Sequence, residues 1–216
     1  MSVNSKSVLG VSWRRLVGRR AVPFPVALPR LLVGPRVRLR AFEPDDAPEA
    51  NAAIRQSMPQ LHRWLPWAAR EPSLRATRRF VRTMRRRFRD RREFHYFLTT
   101  HDSPAIMGCI GVWRRGSDAA EIGYWLGTAH IGHGTMTEAA LLLTDAAFDL
   151  LDISCVEIYC AQDNVKSRGV PMRLGFTCTG RVENDRIDHQ GRMLHTLIYA
   201  MNREQWGNHR RGVNSI

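Results

Sequence analysis

The chain has 216 residues, 44% of them hydrophobic, which is enough for one domain with a full core. It contains no run of 18 apolar residues, so a helical membrane span is excluded. The formal charge is +13, but the first 40 residues hold nine basic and no acidic residues, so most of the excess belongs to one end.

Residues 1–35 are basic, carry Pro23, Pro25, Pro29 and Pro35, and keep no sustained period, which predicts a flexible extension. Organellar transit peptides share that composition, whereas the prolines break the apolar run a secretory signal needs. Val37–Phe42 alternates as a first strand, and Pro44–Gln56 reads as a helix opened by acidic residues. A loop with Trp64 and Trp67 leads into an amphipathic helix over 75–92. Its Phe80, Val81, Met84 and Phe88 share one face, and arginine dominates the other. That outer side is either a solvated face or a dock for RNA or an acidic partner.

Phe94–Thr99 and Ile106–Trp113 pair as a hairpin around Asp102-Ser103-Pro104. Ala120–Leu126 is a fourth strand, and Thr135–Leu151 a helix with Ala139, Leu142, Leu143, Ala146, Ala147 and Leu150 inward. Val156–Ala161 follows as a buried strand, then a helix over Ser167–Leu174 and strands at Phe176–Val182 and Leu194–Met201. Residues 207–216 are left as a C-terminal tail. Cys109, Cys155, Cys160 and Cys178 lack C-x-x-C spacing and fit reduced thiols. His130 and His133 have no further ligand at metal-binding spacing, so no metal is expected.

The segment from His130 to Thr137 joins a strand to a helix through Gly132 and Gly134. Such a loop turns several N–H groups toward one point, and the helix adds its positive end, so it can hold a phosphate or pyrophosphate. A P-loop would need a lysine after the second glycine, where Thr135-Met136 stands. A dinucleotide fingerprint would need a third glycine at Thr137. A plain strand-to-helix turn also fits.

The loop resembles the coenzyme A pyrophosphate loop of the GNAT acyltransferases, Gln/Arg-x-x-Gly-x-Gly/Ala, with Ala129 standing in the Gln/Arg slot. Further on, Asn164-Val165-Lys166-Ser167 and the closing Arg173-Leu174-Gly175-Phe176 resemble the RimJ/RimL branch, the N-terminal acetyltransferases of ribosomal proteins. Leu61-His62-Arg63-Trp64-Leu65-Pro66-Trp67, Glu121-Ile122-Gly123-Tyr124-Trp125-Leu126, Met136-Thr137-Glu138-Ala139 and Gly191-Arg192 with Tyr199 extend the likeness from about Arg36 to Trp206. The resemblance implies an α+β GNAT fold over 36–206. It would have about seven mostly antiparallel strands flanked by helices, and a V-shaped splay between strands 4 and 5.

It also implies acetyl-CoA as cosubstrate, direct attack by an amine in a ternary complex, and a cytoplasmic monomer or homodimer. Trp125, Leu126 and Gly127 would hold the pantetheine arm; Ile131, Gly132, His133, Gly134, Thr135 and Met136 would hold the pyrophosphate. Asn164 would touch the arm, and Ser167 would protonate the departing thiolate or else cap its helix. Two carboxylates compete as base: Glu121, on the fourth strand, and Glu183, with Asp185 and Asp188 near it. Trp64, Trp67 and Tyr124 would wall the acceptor site. The acceptor is read as a protein N-terminus, with a ribosomal protein as the candidate. A small antibiotic-type amine, or an idle fold that binds nucleic acid, are the alternatives.

Overall fold

The computed structural model describes residues 22–188 and 190–213. Eight strands form one sheet: β1 (Leu31–Val33), β2 (Val37–Ala41), β3 (Glu93–Thr100), β4 (Gly108–Arg115), β5 (Ala119–Leu126), β6 (Cys155–Ala161), β7 (Thr177–Ile187) and β8 (Met193–Asn202). Their spatial order is β1-β2-β3-β4-β5-β6-β8-β7. Every neighbouring pair is antiparallel except β5 with β6. A parallel pair needs a crossover, and α3 (Thr135–Leu150) supplies it. The other helices are α1 (Ala47–Trp64), α2 (Leu74–Arg89), α4 (Val165–Arg173) and α5 (Arg203–Val213). This is the expected α+β architecture, with one more strand than the sequence showed.

The sheet is covered on both faces. On one, α3 packs Ala139, Ala140, Leu143 and Ala147 onto Ile110, Val112, Ile122 and Ile158. On the other, α2 sets Val81 and Met84 against Phe42, Phe97 and Cys109. Ser73 caps α2, its hydroxyl accepting from Ala76 N at 3.2 Å.

Several boundaries differ from expectation, among them β7, which runs on to Ile187 and does not stop at Val182. Helix α1 runs past Gln56 and through Pro59 as far as Trp64, so Trp64 is helical and not in a loop. Buried Ser57 and Leu61 hold this extension, and Pro66 ends it by forcing Leu65 into an extended conformation (φ −114, ψ 111). The described part of the N-terminal extension is packed against the sheet. Phe24 and Leu28 are buried, the Tyr96 hydroxyl donates to Pro29 O at 2.8 Å, and Leu31–Val33 pairs with β2. Residues 1–21 of that extension lie outside the described residues. The segment from 207 to 213, read as tail, continues α5. Buried Trp206 anchors that helix between Phe148 and Phe176, its ring N–H donating to Asp145 at 2.9 Å. Trp206→Ala should therefore lower unfolding stability by about 3–5 kcal/mol in a urea melt, the usual cost of emptying a core aromatic site. A loss within error would mean that α5 is an accessory to the domain.

Candidate active site

Strands β5 and β6 are paired only from Ala119/Cys155 to Ile122/Ile158. Beyond that point Gly123–Leu126 and Tyr159–Ala161 have no ladder between them, and the sheet opens. The gap is a cleft of about 510 Å³, bordered by Trp64 on α1, Tyr124 to Leu126 on β5, the loop before α3, and Asn164 and Ser167 on α4. Unpaired strand backbone at the wall leaves N–H and C=O groups free for an extended ligand.

The loop before α3 is built for an anion. Gly132 and Gly134 take φ of +92 and +75, values that side chains rarely adopt. Gly134 is the N-terminal cap residue of α3 and offers no side-chain acceptor, so the first-turn N–H groups stay open toward the cleft. A β-carbon at Gly132 would meet nothing within 4 Å, whereas one at Gly134 would stand 3.2 Å from the Arg36 guanidinium. Lys166 and Arg173 add positive charge to the same rim. Arg173 is held there by Thr137, whose hydroxyl accepts from its Nε and Nη2 at 3.0 and 2.9 Å.

Behind the loop, Glu138 is buried and fixes α3 to the turn before β2. Its carboxylate accepts from Arg36 N (2.7 Å), Val37 N (3.0 Å) and Arg36 Nε (2.8 Å). These bonds hold its carboxyl below the usual carboxylate range despite the opposing effect of burial. Arg36 also donates to His133 O at 3.2 Å, so the glycine loop is clamped from its outer side.

On the far wall Asn164 caps α4, its Oδ1 accepting from Ser167 N at 3.1 Å. Ser167 is therefore inside the first turn and is not the cap, which corrects that expectation. Its hydroxyl lies 3.4 Å from the Tyr124 hydroxyl and 3.4 Å from Cys160 Sγ, and the Tyr124 hydroxyl donates to Ser167 O at 3.0 Å. Arg168 points away from the cleft, donating to the Tyr199 hydroxyl (3.2 Å) and Gln162 O (3.0 Å).

On the other side of β5 a smaller chamber of about 110 Å³ adjoins the cleft. Trp67, Phe80, Trp113 and Trp125 line it, and Glu121 and Arg186 are its charged groups. Gly123 makes room for Trp113, since a β-carbon there would fall 2.5 Å from that ring. Strand alternation turns Glu121, Gly123 and Trp125 to this face and Tyr124 to the opposite one. Burial pushes the Glu121 carboxyl up to about 7, outweighing the pull of Arg115 (3.4 Å away), Arg186 and a hydrogen bond with Trp113. A carboxylate in that range is matched to proton abstraction near neutral pH. Glu183 is placed differently: its side chain is 70% exposed, paired with Arg181 at 3.7 Å, and borders neither cavity.

Residues 36–177 match the family pattern described as an acetyltransferase (GNAT) domain. The chain belongs to the GNAT acetyltransferase family. It is 32% identical over 177 residues to YdaF of Bacillus subtilis (strain 168), described provisionally as a ribosomal N-acetyltransferase; the match covers 81% of this chain and 95% of that one. Its fold is shared with RimL, the ribosomal L7/L12 α-N-protein acetyltransferase solved with coenzyme A (TM-score 0.75, 22% identity, 81% of this chain and 99% of that one). Mycobacterium smegmatis RimJ, solved with CoA-disulfide, is similar as well (TM-score 0.72, 21% identity, 88% and 95%).

In this acetyltransferase most of the expected cofactor residues surround one cleft: Trp125, Leu126, Ile131, Gly132, Gly134, Thr135, Met136, Asn164 and Ser167. Trp64 and Tyr124 border that cleft, and Trp67 the chamber beside it. Gly127 does not border the cleft, and its N–H donates to Met107 O at 2.7 Å. His133 is exposed and contributes its carbonyl to Arg36. Sequence reasoning missed Glu138, Arg115 and Arg186. For Glu138 a signal existed, since a carboxylate beside Ala139 on the apolar side of an amphipathic helix needs a partner.

Proposed function

We propose that the chain transfers acetyl from acetyl-CoA to the α-amine of a protein or peptide N-terminus, in the cytoplasm, by direct attack in a ternary complex. The juxtaposition of the anion-binding cleft with a chamber holding a carboxyl of pKa about 7 carries this reading. The names of YdaF and RimL favour a ribosomal protein as acceptor.

The cleft fits acetyl-CoA in its parts. The glycine loop and first turn of α3 would take the pyrophosphate, with Lys166 and Arg173 beside it, and the open edge of β5 at Trp125 and Leu126 would take the arm. Transfer breaks a thioester C–S bond and makes an amide C–N bond. The amine must lose a proton and the thiolate must gain one. Glu121 takes the first, directly or through water, and Ser167 supplies the second, with the Tyr124 hydroxyl beside it to reload the serine. Trp67 and Trp113 wall off water from the reacting amine.

A covalent acetyl-cysteine is disfavoured by the thiols themselves. Cys160, the one thiol bordering the cleft among the described residues, has its pKa raised by burial and lies against the hydroxyls of Ser167 and Tyr124, with no imidazole in contact. Initial rates with acetyl-CoA and a peptide acceptor both varied should give intersecting reciprocal plots. Parallel plots would mean a ping-pong enzyme and would sink the direct-attack reading.

The cofactor assignment has its own test. Gly134→Val forces a β-branched residue to φ +75 and crowds the Arg36 clamp. Calorimetry should show acetyl-CoA affinity reduced by about tenfold or more while the domain stays folded. Unchanged affinity would remove the loop from the cofactor site.

A further inference from the structure

Arg186 is the only arginine or lysine among the described residues that borders both the cleft and the chamber. It comes from β7, most of whose residues face solvent, yet its own side chain is only 11% exposed. A register shift between Val182 and Arg186, with Asn184 at φ +50, interrupts the alternation of the strand just before it. Bulges of this kind re-aim a side chain, and they gather near functional sites. The inward turn leaves one donor of the guanidinium unfilled. Its Nε makes no hydrogen bond among the described residues, and its ion pair to Asp185 is 3.5 Å long. The Asp185 carboxylate also accepts from the Thr196 hydroxyl at 3.0 Å. A half-buried guanidinium with an unfilled donor can be completed by a ligand.

We propose that Arg186 selects the acceptor by holding a carboxylate carried on the first or second residue of the incoming peptide, while Glu121 receives its α-amine. This rests on the N-terminal reading above and names the acceptor within it. The chamber presents one anion and one cation, and a ligand with an amine and a carboxylate a few bonds apart matches both. A lysine side chain or a polyamine offers only positive charge and is repelled by Arg186. A free amino acid carries the same two groups, but the surroundings favour a peptide. Thr77 and Phe80 of α2 line the chamber, and the same helix exposes Arg75, Arg78, Arg79 and Arg82 without an acidic partner among the described residues. That rim attracts an acidic segment longer than one residue.

The test is a set of peptides with one neutral tail, beginning Asp-Ala, Asn-Ala, Ala-Asp or Ala-Asn, together with free aspartate. kcat/KM would be measured for the wild type, Arg186→Gln and Arg186→Lys, with acetyl-CoA affinity followed by calorimetry. The wild type should prefer the acid over its amide by about tenfold or more at one of the two positions. Arg186→Gln should shrink that preference to about twofold with acetyl-CoA affinity unchanged, and Arg186→Lys should keep part of it. Equal rates for acid and amide peptides in the wild type would overturn the role of Arg186 and leave N-terminal acetylation standing. So would a loss in Arg186→Gln that is uniform across all peptides. Turnover of free aspartate in place of every peptide would reject the N-terminal reading itself.

Discussion

Glu121→Gln is expected to lower kcat/KM by about 10²-fold or more at pH 7 and to recover much of that loss near pH 9. The variant keeps the shape of the side chain and removes its ability to accept a proton. An α-amine has a pKa near ~7.7–8.0, so about a tenth of it is neutral at pH 7 and about nine-tenths at pH 9. High pH thus supplies the reactive amine without help. The wild-type profile carries the same signature with a definite sign. Burial raises the Glu121 carboxyl to about 7, so it is protonated and idle below that value and becomes a base as pH rises through it. kcat/KM should climb across that interval in the wild type, whereas the variant should climb only later, with the amine itself at ~7.7–8.0. Glu183→Gln is the control. With its side chain 70% exposed and outside both cavities, it should stay within about twofold of wild type. Wild-type activity at pH 7 in Glu121→Gln, with loss in Glu183→Gln, would move the base to the later carboxylate.

Ser167→Ala should reduce kcat by about 10²-fold while acetyl-CoA affinity holds. Because Asn164 and not Ser167 caps α4, the same variant should melt within a few tenths of a kcal/mol of wild type. Asn164→Ala should show the opposite pattern in stability, losing about 1 kcal/mol with the cap. The two variants together separate catalysis from helix capping. If Ser167→Ala turns over normally, the thiolate leaves without this serine, and the neighbouring Tyr124 hydroxyl becomes the donor to examine.

What could be read from the sequence was local. The glycine pair before Thr135 fixes a loop geometry by itself, and the alternation in Ala119–Leu126 places Glu121 and Tyr124 on opposite faces. What could not be read depends on contacts distant in the chain. Pro59 reads as a helix stop, yet Leu61 packing against Ile54 and Ala68 carries α1 through it. Leu31–Val33 is too short to announce itself and exists by pairing with β2. Helix α5 depends on Trp206 reaching Asp145, 61 positions earlier. Arg186 was hidden for a different reason: the sequence pattern ends the strand at Val182, whereas β7 continues past a register shift to Ile187.

The site to which the acetyl group is transferred decides the function. The most direct measurement is tandem mass spectrometry of a peptide that carries both a free α-amine and an internal lysine, after incubation with the protein and acetyl-CoA. The chamber, with Glu121 and Arg186 both on its wall, predicts acetyl on the α-amine and none on the lysine. Acetyl on the lysine side chain, or an unmodified peptide under conditions where a small amine is acetylated, would contradict it.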